Sequence, residues 1–153
     1  MTAQITDVFH FNGKNYSLIG KTKGELASPQ QFGMNPVKIH TACYRGFYAE
    51  YELTQEALYL RKLTLRERNE RYIPIRKIHP ERDDDYQAVY RGLSEIIPFT
   101  GKIRLANGFI EDLFIHMGYQ KATAYKTILD LSLQDGKIVE LIDRSMEIKQ
   151  KRG

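Results

Sequence analysis

Tryptophan is missing, cysteine occurs once, and no window approaches the ~20 apolar residues that a membrane-crossing helix needs. A single thiol, Cys43, excludes an internal disulfide and any metal site built from several cysteines. The opening residues, Met1 to Asp7, have no basic stretch leading into an apolar run, so no secretory leader is expected. These absences predict a cytoplasmic protein with no membrane partner.

Catalytic signatures are also lacking. There is no phosphate-cradling glycine loop, no Gly-x-Ser-x-Gly elbow and no His-Glu-x-x-His pair. The Asp83–Asp85 run lacks the spacing and glycine of a calcium loop. No catalytic residue, cofactor or metal is therefore assigned, and the balance leans against an enzyme.

What is present is ordinary for a globular chain: 153 residues, 42% apolar and 27% charged, with ten Tyr and seven Phe. The net charge of +4 is unevenly distributed. Arg61 to Arg82 carries eight Lys/Arg against three Glu, and Arg144 to Gly153 carries four against one. A mildly acidic body with a basic segment and a basic tail is not the pattern of a general nucleic-acid binder.

Three dipeptides suit a two-residue hairpin turn: Asn12-Gly13, Asn107-Gly108 and Asp135-Gly136. Turning at the first sets Phe9 opposite Tyr16, with Phe11 and Leu18 on the same face. Turning at the last sets Leu133 opposite Ile138 and Leu129 opposite Ile142. The middle one would pair Leu105 with Ile110 and Arg104 with Glu111, although Phe109, Ile110, Leu113, Phe114 and Met117 also fit a helical stripe. A fourth unit runs from Lys38 to Leu65. In it Phe47, Ala49, Tyr51 and Leu53 alternate with Tyr48, Glu50 and Glu52, and Gly46 marks a bulge or a close backbone approach.

Lys21 to Pro36 reads as a long surface loop, and Asp83 to Leu93 as a short helix opened by its aspartates. The residues beyond Arg144 predict a frayed or weakly helical end. The expected architecture is mainly β, a hairpin-built β-sandwich or curved barrel-like sheet with at most one or two short helices. It forms a single β-rich domain over 1–143, followed by a basic C-terminal tail over 144–153.

Four residues stand out as candidates for ligand or partner binding. His116 and Tyr119 close an apolar run at Gly118, and histidine there can donate, accept or titrate. Tyr44 and Arg45 place a planar guanidinium beside aromatic rings, suited to carboxylates or phosphates. For each, a purely structural role is the competing reading, with Arg45 pairing a neighbour such as Glu50. Cys43 reads as a small buried apolar residue, and the Arg61–Arg82 segment as a solvated, self-paired charged surface.

The run Thr41-Ala42-Cys43-Tyr44-Arg45-Gly46 leads into an aromatic strand, and Phe99 to Leu105 is followed by His116 to Tyr119 and the Asp135-Gly136 turn. Together these resemble a loosely defined group of small bacterial β-rich proteins. The resemblance implies a bacterial, cytosolic origin and brings no activity with it. The leading expectation is a non-enzymatic binding domain for a protein or small anionic ligand. The alternatives are a small enzyme or ligand carrier with a pocket near His116, and a weak electrostatic nucleic-acid binder. Nucleic acid is the least favoured partner, and exposed strand edges leave self-association open.

Overall fold

The structure is a computed structural model that describes residues 3–22, 26–83, 87–115 and 118–152. Its strands are Val8–Phe11 (β1), Lys14–Lys21 (β2), Phe47–Leu53 (β3), Leu58–Leu65 (β4), Glu81–Asp83 (β5), Gln87–Tyr90 (β6), Glu95–Ile96 (β7), Gly101–Phe109 (β8), Tyr125–Gln134 (β9) and Lys137–Asp143 (β10). One helix, Ser145–Arg152 (α1), closes the chain. The fold is mainly β, as expected. The strands form one sheet in the order β10-β9-β8-β2-β1-β3-β4-β6-β5, with β7 beside β4, and the sheet is not closed into a barrel.

Register explains how one sheet makes a core. Phe9 lies opposite Tyr16 on one side and Tyr51 on the other, and Tyr51 lies opposite Leu60. Across β8 and β9, Leu105 faces Leu129 and Ile103 faces Leu131. All these side chains are buried in one cluster, so the sheet curls around its own inner face. At one end the curl nearly meets itself: Ile138 N–H, on β10, donates to the Gln55 carbonyl in the β3–β4 turn at 3.4 Å.

The first hairpin has the register expected from its sequence. The last agrees at Leu133–Ile138 and then slips, because a bulge between Ile138 and Glu140 moves Ile142 opposite Asp130 and Leu129 opposite Asp143. The middle hairpin does not exist. Strand β8 runs straight through Asn107-Gly108, pairing Asn107 with Thr127 and Phe109 with Tyr125, and a 3-10 turn follows at Glu111–Leu113. Gly108 alone takes a positive φ, of 75°. Continued pairing with β9 through Phe109 outweighs a local turn preference.

Two other expectations are overturned. Of the helix read over 83–93, residues 84–86 lie outside the described residues and the rest is not helical. Gln87–Tyr90 is strand β6, with all four residues buried, Leu63, Thr64 and Leu65 paired to it on one side and β5 on the other. The stretch from Lys21 to Pro36 is not all surface: Leu26, Ala27 and Met34 are buried in the core, around a 3-10 turn at Pro29–Phe32. The C-terminal end is an eight-residue helix. Its Ile148 is buried with Ala106, Ala124, Tyr125 and Ile128, away from the main core cluster. Truncating this anchor leaves a small cavity, so Ile148→Ala should cost about 2 kcal/mol in a urea melt and expose the α1 amides to hydrogen exchange. Unchanged protection of α1 would mean that Ile148 does not hold the helix. No helix among the described residues is long and apolar enough to cross a membrane.

Candidate functional site

Strand β1 is only four residues long, and this sets up the site. It pairs with β2 over 14–17 and with β3 over 50–53. Beyond its start, β2 and β3 splay apart. Leu18 N–H still reaches the Asp7 carbonyl, at 3.0 Å, but Ile19 to Lys21 then keep β8 on one side and, among the described residues, no strand on the other. On the β3 side the Asp7 carboxylate substitutes for the missing ladder partner: its Oδ1 accepts the Ala49 N–H at 2.8 Å.

The wedge between the two strands holds a cavity of about 400 Å³. Leu18, Ile19, Leu26, Ala27 and Phe47 supply its apolar lining, and Asp7, Arg45, Lys21, Ser28 and Tyr119 its polar groups. That mix of apolar wall and a few convergent polar groups suits a small-molecule pocket. Asp7 is only 5% exposed. Its Oδ1 also accepts from Arg45 Nη2, and the Arg45 guanidinium lies 4.4 Å from the centre of the Phe47 ring. Burial raises the Asp7 carboxyl above the ordinary carboxylate range, and the opposing pull of Arg45 and the Ala49 N–H does not cancel it.

The N-terminal chain draws the loops of the site together. Gln4 N–H donates to the Gly118 carbonyl at 2.6 Å, and Ile5 N–H to that of Ala42 at 2.8 Å. The Gln4 side chain accepts the Tyr44 N–H at 3.0 Å and donates to the Thr41 carbonyl at 2.8 Å. Gly46, at φ 86°, then turns the chain into β3, and its own backbone approaches that of Val37.

Of the residues singled out from sequence, Arg45 and Tyr119 therefore line one cavity. Tyr44 does not line it. It is 44% exposed, with the Lys38 ammonium 5.3 Å from its ring centre. His116 lies outside the described residues. Arg45 pairs with Asp7 rather than Glu50, which instead meets His10 at 3.0 Å and Lys62 at 3.1 Å. Cys43 is buried and its thiol turns to the Phe47 carbonyl at 3.6 Å; burial pushes its pKa up, away from thiolate chemistry.

Compared with protein-family models, curated proteins and solved structures, the chain has no match.

Sequence reasoning missed Asp7, Gln4, Lys21 and the 26–28 segment. Nothing local distinguishes Asp7 from a surface acid; its role appears only once β1 proves too short to fill the wedge. In the basic segment, Arg61 meets Glu52 (2.7 Å), Arg76 meets Glu95 (3.0 Å) and Arg82 meets Glu70 (3.7 Å). Glu67 is structural: N–H groups of Asn35, Asn69 and Arg71 hold its carboxylate below the usual range. A second groove, of about 380 Å³, runs over Gly20, Lys102, Arg104, Asp130, Ser132 and Arg144. There Arg104 grips Asp130 with two bonds, at 2.7 and 2.8 Å, and Arg144 adds a third at 3.3 Å.

Proposed function

We propose that the protein is a non-enzymatic binding domain for small amphipathic carboxylates, taken up in the wedge between β2 and β3. The observation that carries this reading is the Arg45 guanidinium sharing one cavity with the apolar side chains of Leu18, Ile19, Leu26 and Phe47. Lys21, which also lines the cavity, adds a second positively charged side chain. An apolar tail would displace water from Leu18, Ile19 and Leu26, while an anionic head would meet the N–H groups that Arg45 does not use on Asp7.

Calorimetric titration with hexanoate tests this. Binding with a Kd below about 1 mM is expected from the ligand's size. Filling the wedge with Ser28→Trp should weaken it at least roughly tenfold, because the tail loses its place. Equal affinity in the two proteins, or no heat in either, would refute the reading.

A second reading has one observation in its favour. A buried carboxyl with a raised pKa at the wall of a cavity is what a general acid or base needs. It implies turnover that disappears in Asp7→Asn while ligand binding persists.

A further inference from the structure

The Asp7–Arg45 pair is asymmetric, and the asymmetry bears on what the cavity recognises. Both bonds to the Asp7 carboxylate, from Arg45 Nη2 and from the Ala49 N–H, fall on the same oxygen, Oδ1. Oδ2 has no hydrogen-bond partner among the described residues. Yet no buried side-chain oxygen or nitrogen there lacks a partner. Oδ2 is therefore not sealed in protein, although the Asp7 side chain as a whole is only 4% exposed, and the surface left to it is the cavity that Asp7 lines. Beside it, Arg45 uses only Nη2 on Asp7, leaving Nε and Nη1 without a described partner. The wall thus offers an open acceptor next to open donors. A plain carboxylate satisfies the donors alone and leaves Oδ2 unmatched, whereas a ligand that also donates to Oδ2 gains a charge-assisted hydrogen bond.

We propose that the cavity selects carboxylic acids bearing an O–H or N–H donor on the adjacent carbon, 2-hydroxy or 2-amino acids with a short apolar side chain. The carboxylate meets Arg45, the 2-substituent donates to Asp7 Oδ2, and the side chain lies among Leu18, Ile19 and Leu26. This deepens the binding reading above and rests on it. Lys21 and Tyr119 line the same cavity.

The test is a matched calorimetric series on the full chain: hexanoate, 2-hydroxyhexanoate and 2-aminohexanoate. The 2-substituted acids should bind roughly tenfold or more tightly than hexanoate, as expected when a site's polar group gains its missing partner. Asp7→Asn should bring the 2-amino acid down to within about threefold of hexanoate, because the variant presents no carboxylate to the ammonium. Equal affinities across the wild-type series would overturn the selectivity and leave the binding reading standing. Failure of all three to bind would overturn both. A preference that survives in Asp7→Asn would remove Asp7 from the role. Should that variant not fold, the wild-type series decides alone.

Discussion

Replacing Arg45 with alanine should destabilise the protein by about 3 kcal/mol at pH 7, the scale expected when a buried carboxylate loses its cation. Arg45 is itself about a third exposed, which is why the lower end of that range applies. The deficit should depend on pH. The folded-state pKa of Asp7 is raised by burial, so the native chain holds the proton more tightly than the unfolded chain. The stability contributed by this group is fully present below its unfolded value, about 3.9, and is lost as pH rises through its folded value. Removing Arg45 raises the folded value further. The gap between wild type and Arg45→Ala should therefore widen from pH 4 to pH 7 in urea melts. A gap that stays constant would mean that the lost contact is packing on Phe47 rather than charge.

Gly46→Ala should have a still larger effect, about 4 kcal/mol, combining a positive φ that alanine resists with a backbone collision. A Cβ on Gly46 would come within 2.7 Å of the Val37 nitrogen, and that backbone has nowhere to go. Val37 N–H donates to the Arg66 carbonyl at 2.9 Å, and Arg66 N–H returns to the Gly46 carbonyl at 3.0 Å. The three segments form one junction at the mouth of β3. Because Gly46 lies between Arg45 and Phe47, the variant should also lose hexanoate binding under conditions where it remains folded. Wild-type stability in this variant would show that the junction is not as tight as described.

The contrast between these residues shows what a sequence discloses. Gly46 was legible as a bulge or close approach, since a glycine ahead of a cleanly alternating strand has few other uses. Phe9–Tyr16 and Leu133–Ile138 were legible because a two-residue turn fixes the register of its immediate neighbours. The register of Leu129 was not, because the bulge beyond Ile138 has no turn signal of its own. Asn107-Gly108 misled for the opposite reason: a good local turn signal yields to the long-range ladder with β9, which continues through Phe109. Tyr86, Val89, Tyr90 and Leu93 suggested a helix face, but Val89 and Tyr90 belong to a strand buried throughout, where periodicity loses its meaning.

The site divides along the same line. Arg45 and Tyr119 carry chemistry that can be recognised in isolation, and the structure lines one cavity with both. Asp7 becomes informative only through β1's brevity and the burial that follows, both products of long-range pairing.

Chemical-shift mapping of the amides and the Arg45 Nε–Hε resonance during a hexanoate titration bears most directly on the wedge as the binding site. Saturable shifts confined to residues 6–7, 18–21, 26–28 and 45–47, with Arg45 Hε among the largest, are the expected result. Shifts centred instead on Lys102, Arg104 and Arg144, or none at all, would contradict it.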